Sequence, residues 1–144
     1  MERGFGLRPL VWPVLDTVDF GYRALQRKTH YPPLSYRQLV TGRFWCSLDD
    51  FDAGGRDLIR IMAATCGLSQ GQTFLDIGSG CGRLALRILE TLAGSGRYVG
   101  FDVDARMVEW CRRNIASRHA NASFFHIDAH NSFYNPQAQT RAKD

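Results

Sequence analysis

Three short apolar runs of the chain carry an aspartate at or near their ends, and the chemistry of the sequence is concentrated there. The first is Phe74-Leu75-Asp76-Ile77, followed directly by Gly78-Ser79-Gly80-Cys81-Gly82-Arg83. The second is Tyr98-Val99-Gly100-Phe101-Asp102 and the third Phe124-Phe125-His126-Ile127-Asp128. Glycines are needed where a turn is tight and where a ligand must approach bare main chain, because a Cβ would collide with it. Amides at the start of the following helix favour an anionic group. Asp102 lies twenty residues beyond Gly82, where an acid accepts hydrogen bonds from ribose hydroxyls. A carboxylate only accepts, so each of these acids suits a ligand rich in donors. The combination points to a nucleoside cofactor rather than to a bare strand-to-helix turn.

Periodicity along the chain gives the elements that hold these residues. Leu58, Ile59, Ile61, Met62 and Cys66 make one apolar helical face, which predicts a helix over 54–66 capped by Gly67. Residues 73–77 form a buried strand, Leu84, Ala85, Ile88, Leu89 and Leu92 the face of a helix, 98–101 a second strand, and 123–127 a third. Between the last two, Met107, Val108, Cys111 and Ile115 mark another helix, with Asp104 as its N-cap. Strands alternating with helices require parallel pairing through right-handed crossovers. The expected fold is therefore α/β: a Rossmann-like parallel sheet with helices on its faces, present as a βαβαβ half of strand order 3-2-1. Its organisation reads as an irregular, Pro- and aromatic-rich leader over 1–52 with short helices, a half-domain over 53–130 and a polar tail over 131–144. No fourth strand follows, so the first would show an unpaired edge. Either the leader covers that edge or the chain is the front portion of a larger domain.

Spacing discriminates between cofactors. A dinucleotide fingerprint wants GxGxxG, yet the third position after Gly80 is Arg83, whose bulk opposes close packing of helix on strand. The pattern present is DxGxGxG. This motif, with the two downstream acids, resembles motif I and its sequel in the class I S-adenosylmethionine-dependent methyltransferases, over residues 70–130. The resemblance implies a transferase whose cofactor, S-adenosyl-L-methionine, contacts Asp76, Gly78, Ser79, Gly80, Cys81, Gly82, Asp102, Val103, Asp128 and Ala129. Gly78, Gly80 and Gly82 would line its methionyl part, Asp76 would orient its ammonium, Asp102 would hold the ribose and Asp128 would face the adenine amino group. It names no methyl acceptor and no catalytic base, because the segments that supply them in the family are missing here. Two alternatives stay open: a truncated or non-catalytic cofactor-binding module that needs a partner chain, and an NAD(P)-binding oxidoreductase domain, which Arg83 opposes. The leader is similar to a bacterial branch of the same superfamily in Tyr31-Pro32-Pro33-Leu34, Val40-Thr41-Gly42 and residues 52–55. That similarity makes Tyr31, Tyr36, Phe44 and Trp45 candidates for a lid over the cofactor, or else for a cover on the open sheet.

The remaining constellations are weaker. His126, Asp128 and His130 alternate as a two-histidine, one-carboxylate iron site would, but His130 already lies in polar sequence, so no metal is expected. Cys81 stands at a helix start, where a thiolate is favoured, without a histidine nearby to act as base; it reads as a small filler of the turn. The other cysteines, Cys46, Cys66 and Cys111, form no CxxC pair and are expected to be reduced. Of 144 residues 44% are hydrophobic, and the net charge of +4 comes almost wholly from arginine. Arg106, Arg112, Arg113 and Arg118 could meet RNA, but they are scattered among acids off the apolar helix face, which argues against a nucleic-acid partner. No apolar run of about 18 residues exists to span a membrane, and the expected location is cytoplasmic. The expected partners are the small-molecule cofactor, an unidentified acceptor, and a partner chain or second copy at the open edge.

Overall fold

The three apolar runs become three parallel strands in a computed structural model, which describes residues 8–92, 94–130 and 138. Strand β1 (Thr73–Ile77) pairs with β2 (Arg97–Asp102), and β2 with β3 (Ala122–His126), giving the expected order read from the opposite edge. Phe74 lies opposite Tyr98, Asp76 opposite Gly100, and Gly100 opposite Phe124. Since successive side chains in a strand point to opposite faces, Phe74, Asp76, Tyr98, Gly100, Asp102 and Phe124 all belong to one face of the sheet.

That face is the buried one. Helix α1 (Arg8–Leu25), α2 (Leu34–Thr41) and α3 (Leu48–Cys66) precede the sheet, while α4 (Ala85–Leu92) and α5 (Ala105–Asn114) are its two crossovers. Ile88, Leu89 and Leu92 of α4 and Met107, Val108 and Cys111 of α5 close over Tyr98 and Phe124 to form the core. Helix α5 starts where expected: the Asp104 carboxylate accepts from the N–H groups of Arg106 and Met107. The second strand is longer than predicted by a residue at each end, and the third is shifted by one toward the N-terminus.

Among the described residues the opposite face is only partly covered, so residues 73–77 are a strand as expected but not the buried one the apolar run suggested. Leu75 and Ile77 are 56% and 82% exposed, and Phe125 and Ile127 are 45% and 43% exposed. Among the described residues β1 has β2 as its one neighbour in the sheet. The described part of the leader leaves Leu75 and Ile77 exposed and makes contact on the helical side instead, with Val40 against Gly80.

Helix accounts for much of the leader, as expected of an irregular or helical segment, although α1 is longer than the short helices read from the sequence. Pro13 stands inside the 18-residue α1, and α3 begins at Leu48 rather than near residue 54. Ser47 explains the earlier start, since its side chain accepts from the N–H of Asp50 while the Asp50 carboxylate accepts from the N–H of Ser47. Such a reciprocal cap satisfies two otherwise orphaned amides. Gly54 and Gly55 read as a helix boundary in the sequence, yet Gly55 is there for closeness: a Cβ would stand 2.9 Å from the Arg83 carbonyl oxygen and the Arg87 Cγ. An ionic knot joins the rest of the leader. The buried Asp19 carboxylate takes Arg23 Nε at 2.7 Å and Arg37 Nη2 at 2.6 Å, and the two guanidinium groups also donate to the carbonyls of Tyr31, Pro32 and Cys46. The expected polar tail over 131–144 lies outside the described residues apart from residue 138. Among the described residues, no helix is long and apolar enough to cross a membrane.

Candidate cofactor site

At the C-terminal tips of the strands the backbone turns sharply and two acids come together. The N–H groups of Gly78 and Ser79 both donate to the Phe101 carbonyl, at 2.8 and 2.9 Å, which staples the turn to the end of β2. The N–H of Gly80 donates to Asp102 Oδ2 at 2.7 Å, and the N–H of Asp104 to Asp102 Oδ1 at 2.8 Å. Asp102 is thereby oriented by main chain on both sides, while each of its oxygens keeps a lone pair for a further donor. Asp76 accepts the Tyr98 hydroxyl at 2.5 Å.

The electrostatics of this pair select the ligand. Burial holds the Asp76 carboxyl above the usual carboxylate range; the Tyr98 hydrogen bond opposes that rise and the charge of Asp102 adds to it. No cationic side chain contributes to the balance at Asp76. Two neighbouring acids with no basic partner between them fit a ligand that brings a positive charge and several donors. A pyrophosphate does not fit. The N–H groups of Gly78, Ser79, Gly80 and Gly82 are all engaged within the protein, the last by the Ser79 carbonyl at 2.9 Å, so the turn offers no ring of amides to an anion. The turn thus keeps fewer amides for an anion than the sequence suggested, since four of them are spent within the protein.

The ten residues implied by the family resemblance divide into several groups. Asp76, Gly78, Asp102, Val103, Asp128 and Ala129 stand at the three strand tips, with Ala129 donating its N–H to the Ile127 carbonyl and Ile127 its own to that of Asp102. Gly78 has a φ of +86°, and a Cβ placed there would meet nothing within 4 Å, so its main chain is open to an approaching molecule. Gly80 meets the leader instead, because a Cβ there would lie 2.9 Å from Val40 of α2. Gly82 serves packing, with a Cβ position 2.4 Å from Ile115 and 3.4 Å from the Cys111 sulfur. Cys81 is fully buried and its thiol pKa is pushed up by that burial, so the side chain lines no ligand surface and is no nucleophile. Ser79 is buried as well, and its Oγ has no hydrogen-bond partner among the described residues.

Of the four lid candidates, Tyr31 is a buried strut: its hydroxyl donates to Asp52 at 2.7 Å and accepts from Arg87 Nη2 at 2.8 Å. Tyr36 lines a hollow of about 390 Å³ with Arg106 and Trp110 of α5. Phe44 and Trp45 are largely exposed in the loop after α2, with Phe44 resting 5.9 Å from the ring of Trp12. His126, Asp128 and His130 join no metal-binding group among the described residues. Sequence reasoning missed Tyr98 as the partner of Asp76. The alternation of side chains carried the signal, because it sets residues 74, 76, 98, 100 and 102 on a common face.

Residues 74–141 match a family model described as a methyltransferase domain. The ribosomal protein L11 methyltransferase of Aquifex aeolicus (strain VF5) is 47% identical over 47 residues, which are 33% of this chain and 18% of that protein. The same-named protein of Cupriavidus taiwanensis is 44% identical over 57 residues, 40% of this chain and 18% of that one. The chain thus spans 18% of the length of each of these curated relatives. Among solved structures, coclaurine N-methyltransferase bound to N-methylheliamine and SAH has a TM-score of 0.50 over 88% of this chain and 41% of that chain, at 12% identity, a likeness of fold.

Proposed function

We propose that this chain, whose residues 74–141 match a family model described as a methyltransferase domain, is of the class I S-adenosylmethionine-dependent kind and holds S-adenosyl-L-methionine at the tips of its three strands as the cofactor half of a methyl-transfer enzyme. The observation that carries this reading is the pairing of Asp76 with Asp102 beside the open main chain of Gly78. Asp76 would take the ammonium of the methionyl part, Asp102 the ribose hydroxyls, and Asp128 with Ala129 the adenine edge. When bound, the sulfonium supplies an activated methyl group for in-line transfer, in which alignment of donor and acceptor contributes much of the rate. The chain's own part is to orient: Tyr98 fixes one carboxylate, and the amides of Gly80 and Asp104 fix the other.

Calorimetric titration tests this. S-adenosylhomocysteine should bind and NAD should not. Asp76→Asn keeps the shape and the Tyr98 contact but removes the charge, so it should weaken S-adenosylhomocysteine about tenfold or more. Methylthioadenosine, which lacks the amino group, should bind both forms alike. Equal loss for the two ligands would overturn the ammonium role of Asp76, and tight binding of NAD would overturn the cofactor. A second reading, a cofactor-binding module that is not itself catalytic, is favoured by the partly covered sheet face and the β1 edge that is open among the described residues. Cofactor binding without methyl transfer to any acceptor extract would support it.

A further inference from the structure

The end of the sheet remote from Asp76 and Asp102 carries a different chemistry. Two segments meet there, residues 94–97, which lead from the turn after α4 into the first residue of β2, and residues 118–121 ahead of β3. They are clamped together: the Tyr98 N–H donates to the Asn121 carbonyl at 2.8 Å, and Asn121 Nδ2 donates to the Gly96 carbonyl at 2.8 Å. Gly96 also lies close against the residue ahead of β1, where a Cβ would stand 2.4 Å from the Gln72 carbonyl oxygen. Between the two segments runs an open trough of about 660 Å³ whose charged lining is Arg97, Arg118 and His119, with no carboxylate.

These arginines share with Arg27, Arg43 and Arg83 the lack of an acid partner among the described residues. Arg23, Arg37, Arg56, Arg60, Arg87, Arg106, Arg112 and Arg113 each pair with a carboxylate. Arg97 and Arg118 form no ion pair among the described residues, although both are exposed. The loop after α1 adds His30, whose pKa is lowered by burial and then by the positive charges of Arg118, Arg87, Lys28 and His119. Arg87 and Lys28 are answered by Asp52, Glu90 and Asp49, so the positive charge left without an ion pair at this end, among the described residues, is that of Arg97 and Arg118. Of the four arginines singled out in the sequence, three are neutralised on the surface of α5 and Arg118 alone faces this trough.

We propose that this trough is a seat for the phosphate backbone of a nucleic acid. Guanidinium groups, an imidazole and the main chain of a glycine turn are the donors that recur on phosphate oxygens. The lining offers no aromatic or large aliphatic anchor of the kind a protein partner would bury. The trough is open to solvent along its length rather than an enclosed cavity of the kind that buries a small molecule. Since it lies at the opposite end of the strands from the cofactor site, it stands or falls independently of that assignment.

The test is fluorescence anisotropy of a labelled single-stranded RNA of about 20 nucleotides, titrated with the full chain at several salt concentrations between about 50 and 200 mM. The double variant Arg97→Gln/Arg118→Gln should lose about tenfold in affinity at low salt and flatten the log–log salt slope by about 1.4, at about 0.7 per phosphate contact. A charge-matched control, Arg60→Gln/Arg113→Gln, should stay within about twofold of wild type. Circular dichroism should show all three proteins equally folded. No binding by the wild-type protein, an equal loss in the control, or competition by poly-glutamate as effective as by RNA would each overturn the proposal.

Discussion

Asp76 is the side chain whose surroundings make the strongest physical demand, because it is ionisable, largely removed from water and without a basic neighbour. Its folded-state pKa lies above the unfolded one, so the folded chain holds the proton more tightly. The stability associated with it is present below the ordinary value of 3.8 and is lost as pH rises through the raised value. Comparing the thermal midpoints of the wild type and Asp76→Asn across that window should therefore show a gap that opens in favour of the variant as pH rises. Saturating S-adenosylhomocysteine should narrow the gap, since its ammonium would restore a partner. The three glycines of the motif also separate at this scale. Gly82→Ala combines left-handed backbone with a collision at Ile115 and should cost about 2–4 kcal/mol, whereas Gly78→Ala meets open space and should cost about 1–2 kcal/mol, both read from urea unfolding. Thiol labelling should find Cys66 fast and Cys46, Cys81 and Cys111 slow in the folded protein, because only the first is exposed.

Elements legible in the sequence are those whose pattern is set by burial on one side. The crossover helices α4 and α5 and all three strands can be read to within about two residues, since apolar periodicity records which face meets the core. The leader is not legible, for a physical reason: its helices are organised by polar links that leave no apolar period. Asp19, Arg23 and Arg37 come from two helices and are buried together, and in sequence they look like ordinary surface charges. Likewise the Gly54-Gly55 pair signals a break where the structure uses it for contact with α4. Removing the shared acid of the knot by Asp19→Ala should strand two buried guanidinium groups and cost about 3–5 kcal/mol in urea unfolding. A cost under about 1 kcal/mol would mean that water reaches the arginines and that the leader is held by other contacts.

For the molecule as a whole, the sheet divides the chain into a packed side and a wet one. Adjacent residues of β3 illustrate it, since Phe124 is 3% exposed and Phe125 is 45% exposed. Phe124→Ala should cost about 3–5 kcal/mol and Phe125→Ala about 1 kcal/mol or less, measured by denaturant unfolding. Of the candidate site, the acids at the strand tips are legible from motif and spacing, while the division of labour among the glycines and the link from Tyr98 to Asp76 require the register of β1 on β2. On the packed side, Phe74, Tyr98 and Phe124 form a row of rings across all three strands, with centroids 6.1 and 5.4 Å apart. The middle ring ends in the hydroxyl that holds Asp76. The molecule therefore has an optical gauge of its own: a cation arriving at that carboxylate alters the donor strength asked of the phenol, and the near-ultraviolet signature of a tyrosine locked between two phenylalanines should register the event without any label.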